Sequence, residues 1–271
     1  MICINVENIV PLTKAASMLS EIGKEVCLKF SPTMFTITTL PSPSPSPSPS
    51  PSPSPHKFSA ILILPSSSFA NYSVDRNHSS KVSLRSFQNA LLQGRRFSSI
   101  TIHLLEPLNR LLLRFHLQPS ESYSAQPLHY HELELFPLED WKDPARIRLN
   151  QKHFSIDSQC FKRIIQTFSL YDNQTSSISI ISKGTSVTFS ILPFAEITLS
   201  EELGQCSFRG EEEDEVDIKI NINPASFFIS LANQVQRVSF FHKNNDDSHI
   251  AIMYFPFGGE SHGMLISFPQ I

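Results

Sequence analysis

Apolar residues at Ile9, Leu12, Ala16, Leu19 and Ile22 recur three and four positions apart and predict an amphipathic helix ending at Gly23. A short apolar run at 2–6 precedes it. Two strand-like runs follow, 25–30 and 34–40, with Ser31-Pro32-Thr33 as the turn between them. A second helical stripe, Leu84, Phe87 and Leu91, stops at Gly94 and leads into strands at 100–105 and 111–117, turned by Glu106-Pro107 and Asn109. The third stripe is Phe161, Ile164, Ile165 and Phe168, followed by strands at 177–181 and 186–192 around Lys183-Gly184. The fourth is Phe228, Leu231 and Val235, with Pro224 near its first turn, and strands follow at 238–242, 250–255 and 264–268.

The recurring unit is helix, strand, turn, strand, and it occurs four times. Strands outnumber helices by about three to one, so the pattern predicts an α+β class built from antiparallel sheet. The plan divides into two similar halves, each folding two helices onto one face of an antiparallel sheet. The expected domains are 1–137 and 149–271, joined by a connector at 138–148. A strict Pro-Ser alternation at 41–55 breaks the first half between strands at 35–40 and 58–64. Proline at every second position removes backbone donors, so this tract forms neither helix nor sheet. It reads as an expanded hairpin loop.

Composition narrows the class further. The 271 residues are 40% hydrophobic and include 21 Phe, enough for a sizeable core. Cys3, Cys27, Cys160 and Cys206 make no C-x-x-C pair, and read as buried free thiols in a reducing compartment. A signal peptide and a membrane span are not expected, since no basic flank leads a long apolar run. The net charge of −3 leaves a nucleic-acid partner to be judged from the distribution of charge, not its sum.

Motifs for catalysis are missing. Among eight glycines there is no phosphate-binding loop, no dinucleotide turn and no nucleophile elbow. No cofactor and no metal is therefore expected, and no catalytic residue is assigned. His129 and His131, beside Glu132 and Glu134, would share one face of a strand and could seat a metal, although no third ligand stands at a telling spacing. The acidic run 211–215 reads as a solvated loop, and Trp141 as a packing residue of the connector.

The arrangement of elements resembles the DNA sliding clamps, the family of proliferating cell nuclear antigen. Short phrases lean toward the nine-one-one checkpoint clamp and its Rad-nine-type subunit. Residues 12–25 are similar to that subunit's first helix and the I-G-x-E turn leaving it, and 31–40 to the next hairpin. Residues 81–93 and 110–116 resemble its second helix and a following strand, and 222–240 its fourth helix and strand. The Pro-Ser tract is not part of the resemblance.

The resemblance implies a non-enzymatic subunit of a heterotrimeric ring that encircles double-stranded DNA without reading sequence. It would act in the nucleus in the DNA damage checkpoint and repair. Its implied partners are two related clamp subunits, an ATP-dependent clamp loader, and repair and checkpoint proteins, with no membrane. Such a ring needs cations toward the phosphates. The candidates are Lys14 and Lys24 with helix one, and Lys81, Arg85, Arg95 and Arg96 with helix two. Lys152, Lys162 and Arg163 go with helix three, and Arg237 with the end of helix four. Chains would join through edge strands, for which 110–117 and 177–181 are the candidates, while 118–143 would receive partner peptides. A replication-type homotrimeric clamp stays open, as does an unrelated α+β protein, whether an interaction scaffold or an enzyme with scattered active-site residues.

Overall fold

The computed structural model describes residues 2–40, 58–117, 129–138, 153–171, 177–209, 216–245, 248–257 and 262–269. The fold is α+β, with four α-helices and antiparallel strand pairing among the described residues. The chain forms two compact units, Met1–Ser42 with Ile61–Trp141, and Pro43–Ala60 with Lys142–Ile271. The division falls inside the expected connector, but 58–60 group with the second half. Phe58 gives a physical reason: its ring lies 5.3 Å from that of Phe228 and 5.4 Å from that of Phe268.

Unit 1 begins with β1 (Ile2–Val6) and α1 (Ile9–Leu19), whose N-cap Asn8 accepts from Val10 N at 3.0 Å. The stripe Ile9, Leu12, Ala16 and Leu19 is buried, as its spacing requires. The chain continues through β2 (Glu25–Ser31), β3 (Met34–Thr39), β4 (Ser59–Pro65), β5 (Asn71–Val74) and β6 (His78–Ser83). Next come α2 (Leu84–Gln93), β7 (Ser99–Leu105), β8 (Arg110–His116) and β9 (His129–Glu134). Ser83 caps α2 by accepting from Ser86 N. One sheet runs β5-β1-β7-β8-β9, and the strands β4-β3-β2-β6 lie side by side in a second. At the end of α2, Gly94 approaches the Phe115 ring so closely that a Cβ would stand 1.9 Å from it. Glycine is needed there for close approach.

Unit 2 runs β10 (His153–Asp157), α3 (Ser158–Ser169), β11 (Ser177–Lys183), β12 (Ser186–Ile191), β13 (Ala195–Ser200), β14 (Cys206–Arg209) and β15 (Val216–Asn221). It ends with α4 (Ala225–Ala232), β16 (Arg237–Asn245), β17 (Ser248–Pro256) and β18 (Gly263–Pro269). Strands β14-β10-β16-β17-β18 lie side by side, and a separate sheet runs β13-β12-β11-β15. Phenylalanine dominates this core: Phe154 and Phe240 stack at 4.7 Å, and Phe161 meets Phe240 and Phe255 edge-on.

Several expectations need correction. Each unit holds strands from two sheets, where the pattern predicted one. The repeating unit omitted β5, β6, β10, β13, β14 and β15, because these strands are short or carry too few apolar positions to register. In β6 (HSSKVS) only Ser80 and Val82 are buried. The expected second helix at 81–93 starts at Leu84, and Lys81 lies on β6. Within the expected partner-binding stretch, 129–134 is the sheet strand β9. Both proposed edge strands are interior: β8 lies between β7 and β9, and β11 between β12 and β15.

The hairpin around the Pro-Ser tract does pair, Thr38 with Ile61 through Met34 with Pro65. The tract itself lies outside the described residues, as do 118–128, 139–148 with Trp141, the acidic run 211–215 and Lys152. All four cysteines are free, with Cys27 and Cys206 buried and Cys3 and Cys160 half-buried. Burial, then the Glu201 carboxylate, pushes the Cys206 thiol up to about 11. Among the described residues, no helix is long and apolar enough to cross a membrane.

Candidate nucleic-acid interface

The four α-helices carry Lys14, Arg85, Lys162 and Arg163 and no Asp or Glu. Their buried stripes force the remaining positions outward, so Lys14, Arg85 and Arg163 are exposed and Lys162 is half-buried. Neutral donors share these faces: Asn89 and Gln93 on α2, and Gln159, Gln166 and Thr167 on α3 are exposed. An outward helical surface with cations, amides and hydroxyls but no carboxylate attracts phosphate, although exposed Glu7 and Glu21 flank the ends of α1. The same segregation is present in the sequence, where acidic residues gather elsewhere, most densely at 211–215.

The helices of each unit are tied in pairs. In unit 1, Gln88 Nε2 donates to Ser17 Oγ at 3.0 Å, joining α2 to α1. In unit 2, Lys162 Nζ donates to Asn233 Oδ1 at 3.1 Å, joining α3 to the C-cap of α4. Asp157 caps α3 by accepting from Gln159 N at 2.8 Å and Cys160 N at 3.2 Å. That carboxylate therefore serves the helix terminus.

The other candidates separate into two groups. Arg95 and Arg96 occupy a 3-10 turn, Gly94–Arg96, continuing α2, and both are exposed. Lys24 is exposed just before β2, where its carbonyl accepts from Leu84 N and anchors the start of α2. Lys81 and Arg237, in contrast, are committed to the sheets. The Lys81 ammonium lies 3.2 Å from Glu25 and 6.0 Å from the Phe136 ring centroid. Arg237 stands at the start of β16, past the end of α4. Its Nε donates to Ser155 Oγ at 3.0 Å, and Nη2 donates to Ser155 O at 2.8 Å and Ser207 Oγ at 3.0 Å. These bonds tie β16 to β10 and β14. α4 itself bears no charge.

The histidine pair has a different character. His129 and His131 do share one face of β9, with ring centroids 5.2 Å apart, packed against Phe97 and Phe115. The Nε2 atoms of both are buried without a partner. Burial and the neighbouring His129 hold His131 below its ordinary value. Glu132 and Glu134 project from the opposite face, and Glu132 accepts from Arg110 Nη1 at 2.6 Å. The carboxylates thus do not join the imidazoles. Among the described residues, no group of three or more His, Cys, Asp or Glu is placed to hold a metal. Neither a protein-family model nor a curated protein sequence matches the chain.

Proposed function

We propose that the chain is a non-enzymatic subunit of a heterotrimeric DNA sliding clamp of the checkpoint and repair kind, acting in the nucleus and recruiting partner proteins. The observation that carries this reading is one topology used twice. Unit 1 is strand, helix, five strands, helix, three strands, and unit 2 has the same order. The sheet order agrees strand for strand: β5-β1-β7-β8-β9 corresponds to β14-β10-β16-β17-β18, and β4-β3-β2-β6 to β13-β12-β11-β15. A duplicated unit presenting a helix pair with cations and no acids is what a duplex-lining wall requires. Phosphate contact without base readout lets a ring slide.

The cations best suited to the duplex are Lys14, Lys24, Arg85, Arg95, Arg96 and Arg163, which are exposed, and Lys162 to a lesser degree. Lys81 and Arg237 belong to the sheet framework. With β8 and β11 interior, ring contacts fall to strands that end a sheet, and β9 and β13 are such strands. An ATP-dependent loader would open the ring.

The test is light scattering on the purified full chain, alone and co-expressed with the two candidate clamp subunits. The reading expects a monomer that becomes a 1:1:1 complex. A stable homotrimer would move the chain to the replication-type clamp, and indifference to both partners would overturn the ring altogether.

A further inference from the structure

Two arginines stand side by side in the sequence only at Arg95-Arg96, and Phe97-Ser98 follow them. A serine two residues beyond one arginine and three beyond the other suits the acidic peptide groove of a basophilic protein kinase. Carboxylates in such a groove pair with both guanidiniums and bring the hydroxyl to the phosphoryl donor. The fold presents these four residues in different ways. The 3-10 turn Gly94–Arg96 leaves both arginines exposed, and among the described residues neither is ion-paired. Phe97 turns inward, its ring centroid 5.1 Å from that of His129 and 5.6 Å from that of Phe115. Ser98 lies outside helix and strand and is half-buried, its Oγ donating to His116 O at 3.3 Å. That bond is long for a hydroxyl. Ser98 N donates to the same carbonyl at 3.1 Å, so His116 O keeps a partner when the hydroxyl leaves. Ser99, the next hydroxyl, is already the first residue of β7 and sits across from His116. Extending the turn into a kinase groove breaks one backbone bond, Phe97 N to Gly94 O, and lifts the Phe97 ring. Opening on that local scale costs less than unfolding the unit.

We propose that Ser98 is a phosphoacceptor for a basophilic serine/threonine kinase, and that its phosphate withdraws Arg95 and Arg96 from the duplex. The second half rests on the function proposed above, and the first does not. In the transfer, Ser98 Oγ attacks the γ-phosphorus of ATP held by the kinase. The Oγ–P bond forms as the bond to the ADP oxygen breaks, and the hydroxyl proton passes to the kinase's carboxylate base. The product carries a charge of about −1.5 to −2 at pH 7. Two and three residues from the guanidiniums, it accepts charge-assisted hydrogen bonds from them. The pair then offers DNA phosphates little net charge, and fewer counterions are released on binding. On the ring reading the turn faces the duplex, so the mark is placed before DNA is enclosed.

The experiment treats the full chain with ATP and a purified cyclic-nucleotide-dependent protein kinase, and maps the product by peptide mass spectrometry. One phosphate on Ser98 is expected, absent from Ser98→Ala and from Arg95→Ala/Arg96→Ala, each checked for an unchanged thermal midpoint. No phosphate, or phosphate on Ser99 instead, overturns the inference. Duplex binding is then followed by fluorescence anisotropy across a range of salt. Phosphorylation should weaken it about tenfold or more at low salt and flatten the slope of log affinity against log salt by about 0.9 for each arginine withdrawn. Ser98→Ala should bind as the wild type does. Ser98→Asp should weaken binding in the wild type but add little in Arg95→Ala/Arg96→Ala. An equal loss in both backgrounds overturns the role given to the arginines. A phosphorylated chain that binds DNA as the unmodified one does overturns the regulatory inference and leaves the clamp reading standing. If the unmodified chain binds no duplex, the clamp reading fails and the regulatory half with it, while phosphate on Ser98 still supports the acceptor.

Discussion

The Lys162 ammonium on α3 donates to the Asn233 carboxamide at the C-cap of α4, 3.1 Å away, while its sequence neighbour Arg163 points into solvent. Two adjacent cations therefore have different tasks. Lys162→Met should lower stability by at most about 1 kcal/mol, the scale of an exposed hydrogen bond, and should barely change duplex binding. Arg163→Ala should do the reverse. Urea denaturation and fluorescence anisotropy with a short DNA duplex separate the two effects.

Exposed helix cations should contribute through counterion release. Replacing Lys14, Arg85 and Arg163 with alanine is expected to flatten the dependence of log affinity on log salt by about 0.9 for each phosphate contact removed. The loss should be the same for duplexes of unrelated sequence. A sequence-dependent loss would argue for base readout.

Arg237 is expected to act oppositely to these. Arg237→Met removes donors that join β16 to β10 and β14 and leaves Ser155 O without one of its partners. The expected cost is about 2 kcal/mol in urea denaturation, the scale of hydrogen bonds from a charged donor. Duplex binding by the folded variant should be unchanged.

Gly94→Ala is expected to be the most damaging small change. The added methyl would overlap the Phe115 ring, which is buried and also packed against Phe97 and His129. Overpacking of this kind costs about 3 kcal/mol. Phe115→Leu in the Gly94→Ala background should recover part of the loss, measured by thermal midpoint.

Acid should weaken the fold through histidines. Burial is the first cause lowering His131, His78 and His116 in the folded chain from the ordinary 6.5. The unfolded chain therefore binds protons more readily, and stability falls as pH drops through 6.5. Above that value the histidines are neutral in both states and the contribution is flat. His131→Leu should shallow the acid limb when urea midpoints are compared at pH 5.5 and 7.5. A stability that rises toward pH 5.5 would reject this assignment.

The four helices were legible in place because burying one stripe imposes a 3.6-residue spacing, although Ile22 and Val235, read as the last members of the first and fourth stripes, lie beyond α1 and α4. Ile9 through Leu19 and Phe161 through Phe168 are buried where the spacing requires. The hairpins at Ser31, Asn109 and Gly184 were legible for a local reason as well: turn chemistry needs only neighbouring residues. Asn109, at φ 47°, and Gly184, at φ 56°, adopt the left-handed backbone that their residue types tolerate. The second, third and fourth helices were acid-free in the linear text as well, whereas Glu21 left the first only when α1 ended at Leu19.

Neighbour relations between strands were not legible. Arg110–His116 reads as an apolar strand whether it ends a sheet or lies inside one, and only long-range pairing placed it between β7 and β9. The polar strand β9, legible only as a strand face shared by His129 and His131, became the edge. The same limit applies to charge. Lys162 and Arg163, or Arg237 and the exposed helix cations, carry the same formal charge in sequence. Their tasks diverge because Asn233, Ser155 and Ser207 arrive from 71, 82 and 30 residues away. Local periodicity determined which residues turn inward. The tertiary structure decided which outward groups are already engaged, since hydrogen bonds depend on distances in space that sequence separation does not encode.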